Sequence, residues 1–401
     1  MNALQQIRKF NTGRDPERLA LKYRAMRSDP FVFLRATCHL FYARLPHDEG
    51  VLRKAPPAWS CGDLHLENFG SYKGDNRQVY FDLNDFDEAL LAPMTCDLVR
   101  VLASILVGCR TLLTDAREVE APLQLCQVLL DAYATAIVDG KARWVERETA
   151  TGPVGELLHK ARSRHRVALL DSRTVHKGRR RLLNLEGGKA LPCAKLQREA
   201  VVEFFAGFAA TQDNPRFYDV LDVARRIAGT GSLGVERYIV LVRGKGSPDG
   251  NYLLDLKRAM PSAPAPQVPV EQPRWADEAH RVVAIQRSMQ AVSMAFLQPV
   301  VLQNHPFVLR GLQPTEDRVA LAGLSVAHLS RLVHTMGQCL AWAQLRSSGR
   351  GGSATADALG DFAARRKWRT RLLDIARQAA TQVQTDWEDF SLAYDQGAFG
   401  G

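Results

Sequence analysis

Cysteine pairing is the first thing this sequence lacks. Its seven cysteines, Cys38, Cys61, Cys96, Cys109, Cys126, Cys193 and Cys339, are scattered with no C-x-x-C spacing and are odd in number. That argues against a zinc site and against a secreted disulfide framework. No stretch approaches the roughly 20 apolar residues of a membrane span. The first residues, Met-Asn-Ala-Leu-Gln-Gln-Ile-Arg-Lys, lack an apolar core followed by a cleavage site. A soluble, cytoplasmic protein without a membrane partner is therefore the expectation. There is no Gly-x-Ser-x-Gly elbow on which to argue a Ser-His-Asp triad, and no convincing internal repeat.

What is present is ordinary in bulk and uneven in detail. With 46% hydrophobic and 24% charged residues the chain reads as globular rather than disordered. Its 401 residues exceed one ordinary core and suggest two lobes. The net charge of +10 is concentrated: residues 141–198 hold fifteen Lys or Arg against five Asp or Glu, so this segment formally carries the whole excess. One basic segment implies one anionic partner surface or a solvated face. Its runs Arg162-Ser-Arg-His-Arg166 and Lys177-Gly-Arg-Arg-Arg181 lack interleaved aromatics, which disfavours a single-strand stacking surface.

Apolar periodicity predicts helices over residues 16–45, broken at Asp29-Pro30, and over residues 97–107 and 123–138, the last ending at Gly140. Residues 141–198 read as solvent-exposed helix and loop, followed by a helix over 199–210. From about residue 225 the pattern becomes strand-like: a glycine turn, a strand to Arg243, a turn-rich connection, and a strand over 251–257, together an antiparallel hairpin. A proline-rich loop over 261–273, a helix over 276–294, a strand over 307–310 and a helical remainder from Ser325 complete the chain. This gives an α+β protein in three parts: a helix-rich part over 1–224 with the catalytic and metal loops, a small antiparallel-sheet part over 225–315 that binds nucleotide, and C-terminal helices over 316–401 packing on the first part.

The chemistry-bearing stretch is residues 60–88. Asp63, His65, Glu67 and Asn68 share one short loop. Asp82, Asp85, Asp87 and Glu88 end an apolar run beyond a hairpin-like turn. Phosphoryl transfer needs a carboxylate to take the hydroxyl proton, oxygen ligands for Mg²⁺, and positive or N–H groups around the phosphates. Asp63 is the candidate catalytic carboxylate. His65 is a catalytic candidate that either holds the loop or serves as a base. Asn68 and Asp85 are the candidate Mg²⁺ ligands with Asp87 in support, and Asp82 is either a further ligand or a partner for an arginine.

Gly62-Asp63-Leu-His65-Leu-Glu-Asn68 resembles the catalytic loop of aminoglycoside and choline kinases, Asn84-Asp85-Phe-Asp-Glu88 resembles their metal-binding Asp segment, and Asp97-Leu98 resembles their later helix-opening Asp-Leu pair. More of the chain resembles a bacterial group catalogued as domain of unknown function 2252, whose pattern includes Asp29-Pro-Phe31, the Asp63 and Asp85 segments, the Gly-x-Gly-Ser-x-Gly turn and a strand ending in Lys. The first resemblance implies a kinase-like two-lobed fold; the second brings no substrate.

Gly229-Thr-Gly231-Ser232-Leu-Gly234 precedes a strand and not a helix, which disfavours a dinucleotide fold and favours a loop folded over nucleotide phosphates. Lys257, on the next strand, stands where the kinase resemblance puts a phosphate-contacting lysine. Two departures stand beside this. The glycine turn and Lys257 follow the catalytic loop, so the fold would be circularly permuted. The helix over 281–290 offers no central Glu to Lys257; it has Ala284 and Gln286, with Glu278 one turn early, so either Gln286 or Gln290 substitutes or the pair is absent.

The expectation is thus an ATP- and Mg²⁺-dependent phosphotransferase acting on an unidentified small-molecule or protein hydroxyl acceptor. The alternatives are nucleotidyl (AMP) transfer with the same ligands, a catalytically inactive kinase-like module that binds nucleotide or a partner, and, more weakly, nucleic-acid binding through residues 141–198.

Overall fold

The computed structural model describes residues 2–112 and 120–400. Its first layer is helical: α1 (Ala3–Phe10), α2 (Pro16–Ser28), α3 (Pro30–Ala36), α4 (Cys38–Arg44) and the single turn α5 (Gly50–Arg53). Asp29 starts α3 by accepting the backbone N–H groups of Phe31 and Val32 at 2.7 and 3.0 Å, with Pro30 as the first helical residue. A second break falls at Thr37, between α3 and α4.

Four short strands follow: β1 (Pro57–Ser60), β2 (Phe69–Lys73), β3 (Val79–Leu83) and β4 (Leu90–Pro93). β2 and β3 form an antiparallel hairpin in the register Phe69↔Leu83, and β1 pairs antiparallel with β4. The hairpin sets residues 61–68 and 84–89 side by side at its open end. Behind them runs α6 (Cys96–Leu112), then α7 (Ala121–Asp139). α7 is the one described helix long and apolar enough to cross a membrane. Here Leu125, Leu129, Tyr133 and Ile137 are buried in the core, and the Tyr133 hydroxyl donates to the Gln344 carboxamide.

Residues 141–198 are more structured than their composition implies. They hold β5 (Val145–Glu146), α8 (Gly152–Arg162), α9 (Arg166–Asp171), the hairpin of β6 (Thr174–Lys177) and β7 (Arg180–Leu183), β8 (Ala190–Leu191) and the start of α10 (Lys195–Ala210). Arg181 is buried here, donating to Asp171 and Asp249 at 2.7 Å each. Most of the segment is exposed and it holds helices and loops as expected; what the expectation lacked is the short strands, whose two to four residues are too few to show alternation.

β8 is the edge of a six-stranded antiparallel sheet completed by β9 (Val220–Arg226), β10 (Arg237–Val242), β11 (Tyr252–Arg258), β12 (Gln298–Leu302) and β13 (His305–Gly311), in the order β12-β13-β11-β10-β9-β8. α11 (Glu278–Met289) lies between β11 and β12 in the chain. Alternate residues face opposite sides. Val223, Val240, Leu254 and Leu309 pack under Val201 and Phe205 of α10. Ala224, Ile239, Leu241 and Leu253 pack against Leu170 and Leu183 of α9 and β7.

The chain ends with α12 (Val326–Arg346), α13 (Ala356–Ala364) and α14 (Lys367–Asp395). Ser325 caps α12. α12 packs along α7, and α14 along α6 and the first helices. The protein is α+β, with a large helical core and the antiparallel sheet facing the loops at the open end of the β2–β3 hairpin.

Candidate active site

The loop after β1 is held by its backbone. Gly62 has φ +79°, and a Cβ there would collide with the Glu88 carbonyl oxygen, so glycine is what lets the two loops touch. The N–H groups of Cys61 and Gly62 donate to Asp97 Oδ2 and Oδ1 at 2.8 and 3.0 Å. Asp97 lies wholly buried in the first turn of α6. Burial pushes its carboxyl up to about 7 despite those two bonds. Asn68 donates its amide to the Asp63 carbonyl at 2.6 Å, which leaves its carboxamide oxygen for the cavity it lines. Asn84 N–H donates to the Asn68 carbonyl at 2.9 Å and ties the second loop to the first.

Asp63 Oδ1 accepts from Arg100 Nε and Nη2 at 3.0 and 2.6 Å. Arg100 is fully buried, also donates to the Leu34 carbonyl at 2.7 Å, and lies 4.5 Å over the Phe41 ring. Burial raises the Asp63 pKa, and the opposing pull of Arg100 does not cancel it. A raised carboxylate beside a cavity is suited to accept a proton. His65 is buried and its Nδ1 accepts the Glu67 N–H at 3.2 Å. Burial, with Arg35 and Arg100 adding to it, holds the imidazole neutral by pushing its pKa well below the usual value. The Glu67 contact ties it to its own loop.

Asp85 is exposed to the cleft. No cation lies within ion-pair distance of it among the described residues. Its one hydrogen bond, from the Asp87 N–H, is 3.3 Å long. No group of three or more His, Cys, Asp or Glu is poised around a metal position among the described residues. Mg²⁺ takes few protein ligands beside phosphate and water, and the oxygens of Asp85 and Asn68 suit it chemically.

Asp87 is the partner of Lys257: its carboxylate receives the ammonium directly. Burial brings the Lys257 pKa down to about 8, against the pull of Asp85. This corrects both sequence expectations for the lysine's partner. Glu278 instead pairs with Arg281 at 2.5 Å. Gln286 donates to Gln290 at 3.1 Å, and Gln290 donates to the Leu83 carbonyl at 2.7 Å. Asp82 takes the other role expected of it, as the partner of an arginine: it is buried within β3, accepting from Arg346 at 2.7 Å and from the Ala291 N–H at 3.0 Å.

The glycine turn joins β9 to β10 and meets the same cleft. Asp63, His65, Asn68, Asp85, Asp87, Gly229, Gly231, Ser232 and Lys257 all line one cavity of about 850 Å³. Gly234 does not. It packs against Arg14, and its carbonyl accepts the Asp15 N–H at 2.9 Å. A second cavity of about 390 Å³ continues under the sheet and shares Asn68, Asp85, Asp87, Gly229 and Lys257.

Sequence reasoning missed the charges that surround these residues. Asp255, two positions before Lys257 and so on the same face of β11, receives Arg237 at 2.8 and 2.7 Å, Arg226 at 2.8 Å and Arg310 at 3.2 Å. Burial works to raise its pKa, but Arg226 and Arg237 hold it well below the usual range. The spacing to Lys257 was the one available signal. On the other side, Arg14 and the fully buried Lys22 clamp the glycine turn through the Gly231 carbonyl at 2.8 and 3.0 Å. Nothing local in the sequence announces that contact.

The family model described as "Uncharacterized protein conserved in bacteria (DUF2252)" matches residues 14–393. No curated protein and no solved structure matches the chain.

Proposed function

The chain belongs to the bacterial family DUF2252, and from its geometry we propose that it is an ATP- and Mg²⁺-dependent phosphotransferase of permuted kinase-like architecture, acting on a hydroxyl acceptor. The observation that carries the reading is one cavity lined by the Asp63 loop, the Asp85 segment, the glycine turn and Lys257, although about 170 residues separate Asp87 from the Lys257 that it pairs with. The connectivity of the sheet supports it too: a glycine turn between two antiparallel strands, the lysine on the next strand, then a single helix before two more strands.

In this reading Asp63 takes the acceptor's hydroxyl proton while Arg100 fixes its carboxylate. Asp85 and the Asn68 oxygen hold Mg²⁺, whose chemistry is to neutralise phosphate charge during transfer. Lys257 and the backbone of residues 229–232 attend the phosphates, with Asp87 keeping the lysine in place. His65 and Asp97 fix the loop that presents Asp63.

The test is thermal unfolding with ATP, with Mg²⁺ and with both, followed by detection of released ADP and AMP. Saturating Mg-ATP at a hundred times its Kd stabilises by about 2.7 kcal/mol, which raises the unfolding midpoint by a readable amount. No shift at millimolar Mg-ATP defeats the proposal. AMP with pyrophosphate as the products would assign nucleotidyl transfer instead. A second reading, a nucleotide-binding module without turnover, draws on α11, which offers no carboxylate to Lys257. Binding with no product in any acceptor mixture favours it, and metal-dependent product lost in Asp63→Ala and Asp85→Asn excludes it.

A further inference from the structure

One part of the lining of the large cavity is cationic and aromatic. It is walled by Lys9 and Phe10 of α1, Arg14 of the α1–α2 turn, Arg35 of α3 and His39 of α4. The His39 and Phe10 rings stack at 3.9 Å and 13°, and the Arg14 guanidinium lies 4.8 Å over Phe10. Lys22 lies behind this wall, its ammonium 5.5 Å from the same ring.

Among the described residues Lys9, Arg14 and Lys22 have no carboxylate in direct contact, Glu88 acting on Arg14 and Lys22 only from longer range. Among the described residues Arg14 donates to the Gly231 and Leu233 carbonyls at 2.8 and 3.1 Å. Lys22 donates to the Asn11 side-chain oxygen at 2.9 Å and to the Gly231 carbonyl. Arg35 pairs with Glu67 at 2.8 Å, yet its Nε is buried with no hydrogen-bond partner, as are both ring nitrogens of His39. Carbonyl dipoles solvate a guanidinium without neutralising it, and charge withdrawn from water without a counter-ion is costly. An anion arriving with the substrate offsets that cost, and guanidinium groups suit phosphate and carboxylate oxygens.

We propose that Lys9, Arg14 and Arg35, which line the cavity with the Phe10–His39 ring pair, seat an anionic group of the acceptor, so that the substrate is a hydroxyl compound bearing a phosphate or carboxylate. The assignment of that anion to an acceptor rests on the phosphotransfer reading; the anion seat itself does not. Polycationic acceptors such as aminoglycosides are repelled by this wall, so the likeness to aminoglycoside kinases in the catalytic loop does not extend to the acceptor. Asp63 and the cationic wall then hold the two ends of one molecule, its hydroxyl and its anion.

The test is calorimetric titration of the full chain with inorganic phosphate and with acetate, for the wild type and for Lys9→Glu, Arg14→Met and Lys257→Met. Expected is saturable phosphate binding that weakens at least ~10-fold in Arg14→Met and about 5-fold in Lys9→Glu, from the loss of charge-assisted contacts, and that weakens less in Lys257→Met than in either, the phosphate cleft at Lys257 being a second place for the same ion. Lys9 is exposed on α1, so its variant decides the matter should Arg14→Met fail to fold. Absence of saturable binding, indifference to Lys9→Glu, or a larger loss in Lys257→Met than in Lys9→Glu and Arg14→Met, which would put the anion in the nucleotide cleft, overturns the proposal. Acetate competing as well as phosphate assigns a carboxylate acceptor, and its failure to compete a phosphate ester. Mg-ATP titrated in parallel separates the two claims. Phosphate binding without Mg-ATP binding sinks the phosphotransfer reading alone; the reverse sinks the anion seat alone.

Discussion

On one wall of the cleft, residues 60–97, side chains are set by backbone hydrogen bonds over short sequence distances: Asp97 holds Cys61 and Gly62, Asn68 holds Asp63, and Asn84 holds Asn68. On the facing wall, β9 to β11, positions are set by ion pairs among buried side chains, with Arg226, Arg237 and Arg310 around Asp255 and Lys257 on Asp87. The first wall is tied largely within its own two loops, with Arg100 and Arg346 bracing Asp63 and Asp82 from outside. The second depends on charges staying matched, so a ligand bringing charge competes with its ion pairs. The carboxylate wall thus has the character of a fixed tool and the sheet wall that of an adjustable clamp.

Asp63→Ala is the strongest test of the first wall. Product formation is expected to fall by ~10²–10⁴-fold, the usual range for a general base, with Mg-ATP binding retained. Steady-state product release and a nucleotide titration check both halves, and undiminished turnover removes Asp63 from the chemistry.

Asp97 tests how that wall is held. Its folded-state pKa of about 7 exceeds the ordinary 3.8, so the folded state binds this proton more tightly than the unfolded chain. Its stabilising share is full below about pH 4 and is lost as pH rises through 7. Unfolding free energy should therefore decline by about 2–4 kcal/mol from this group between pH 4 and 7. Urea unfolding of Asp97→Asn should lack that share of the slope. An unchanged slope would mean that Asp97 does not titrate there.

Lys257→Met disturbs the clamp. It leaves Asp87 unpaired and removes a phosphate partner, and Mg-ATP affinity should drop by about 10-fold, or ~1.4 kcal/mol. Equal affinity in the variant would deny the lysine its place at the phosphates. The smallest effect is expected where the two walls meet the N-terminal helices. In Gly231→Ala the new Cβ would stand 3.0 Å from the Arg35 carbonyl, costing about 1 kcal/mol by crowding. A denaturant midpoint equal to wild type would show that the turn can shift freely.

What could be read in the sequence follows the same division. The Asp63-to-Asn68 spacing, the break at Asp29-Pro30, the stop at Gly140 and the hairpin of β10 and β11 are local, so residue type and spacing suffice. The partner of Lys257 was out of reach because it lies 170 residues away on the opposite loop. Asp82 and Asp85 look alike as acids at the end of an apolar run. Only the arrival of Arg346 from 264 residues downstream makes Asp82 a buried structural pair and leaves Asp85 facing the cleft. Arg181 misled for a similar reason: a charged run hides one residue whose partners, Asp171 and Asp249, meet it only after folding.

α14 has a consequence for synthesis. Its Phe390 packs on Tyr23 and Phe33, and Trp387 donates to the Met26 carbonyl across 361 residues of chain. A ribosome adding 5–20 residues per second takes roughly 20–70 s to cover that distance. Throughout that interval the apolar side of α2 and α3 has left the exit tunnel without its natural cover. Nascent chains stalled before codon 367 should accordingly be clients of holding chaperones, and release of the last helix should end that dependence.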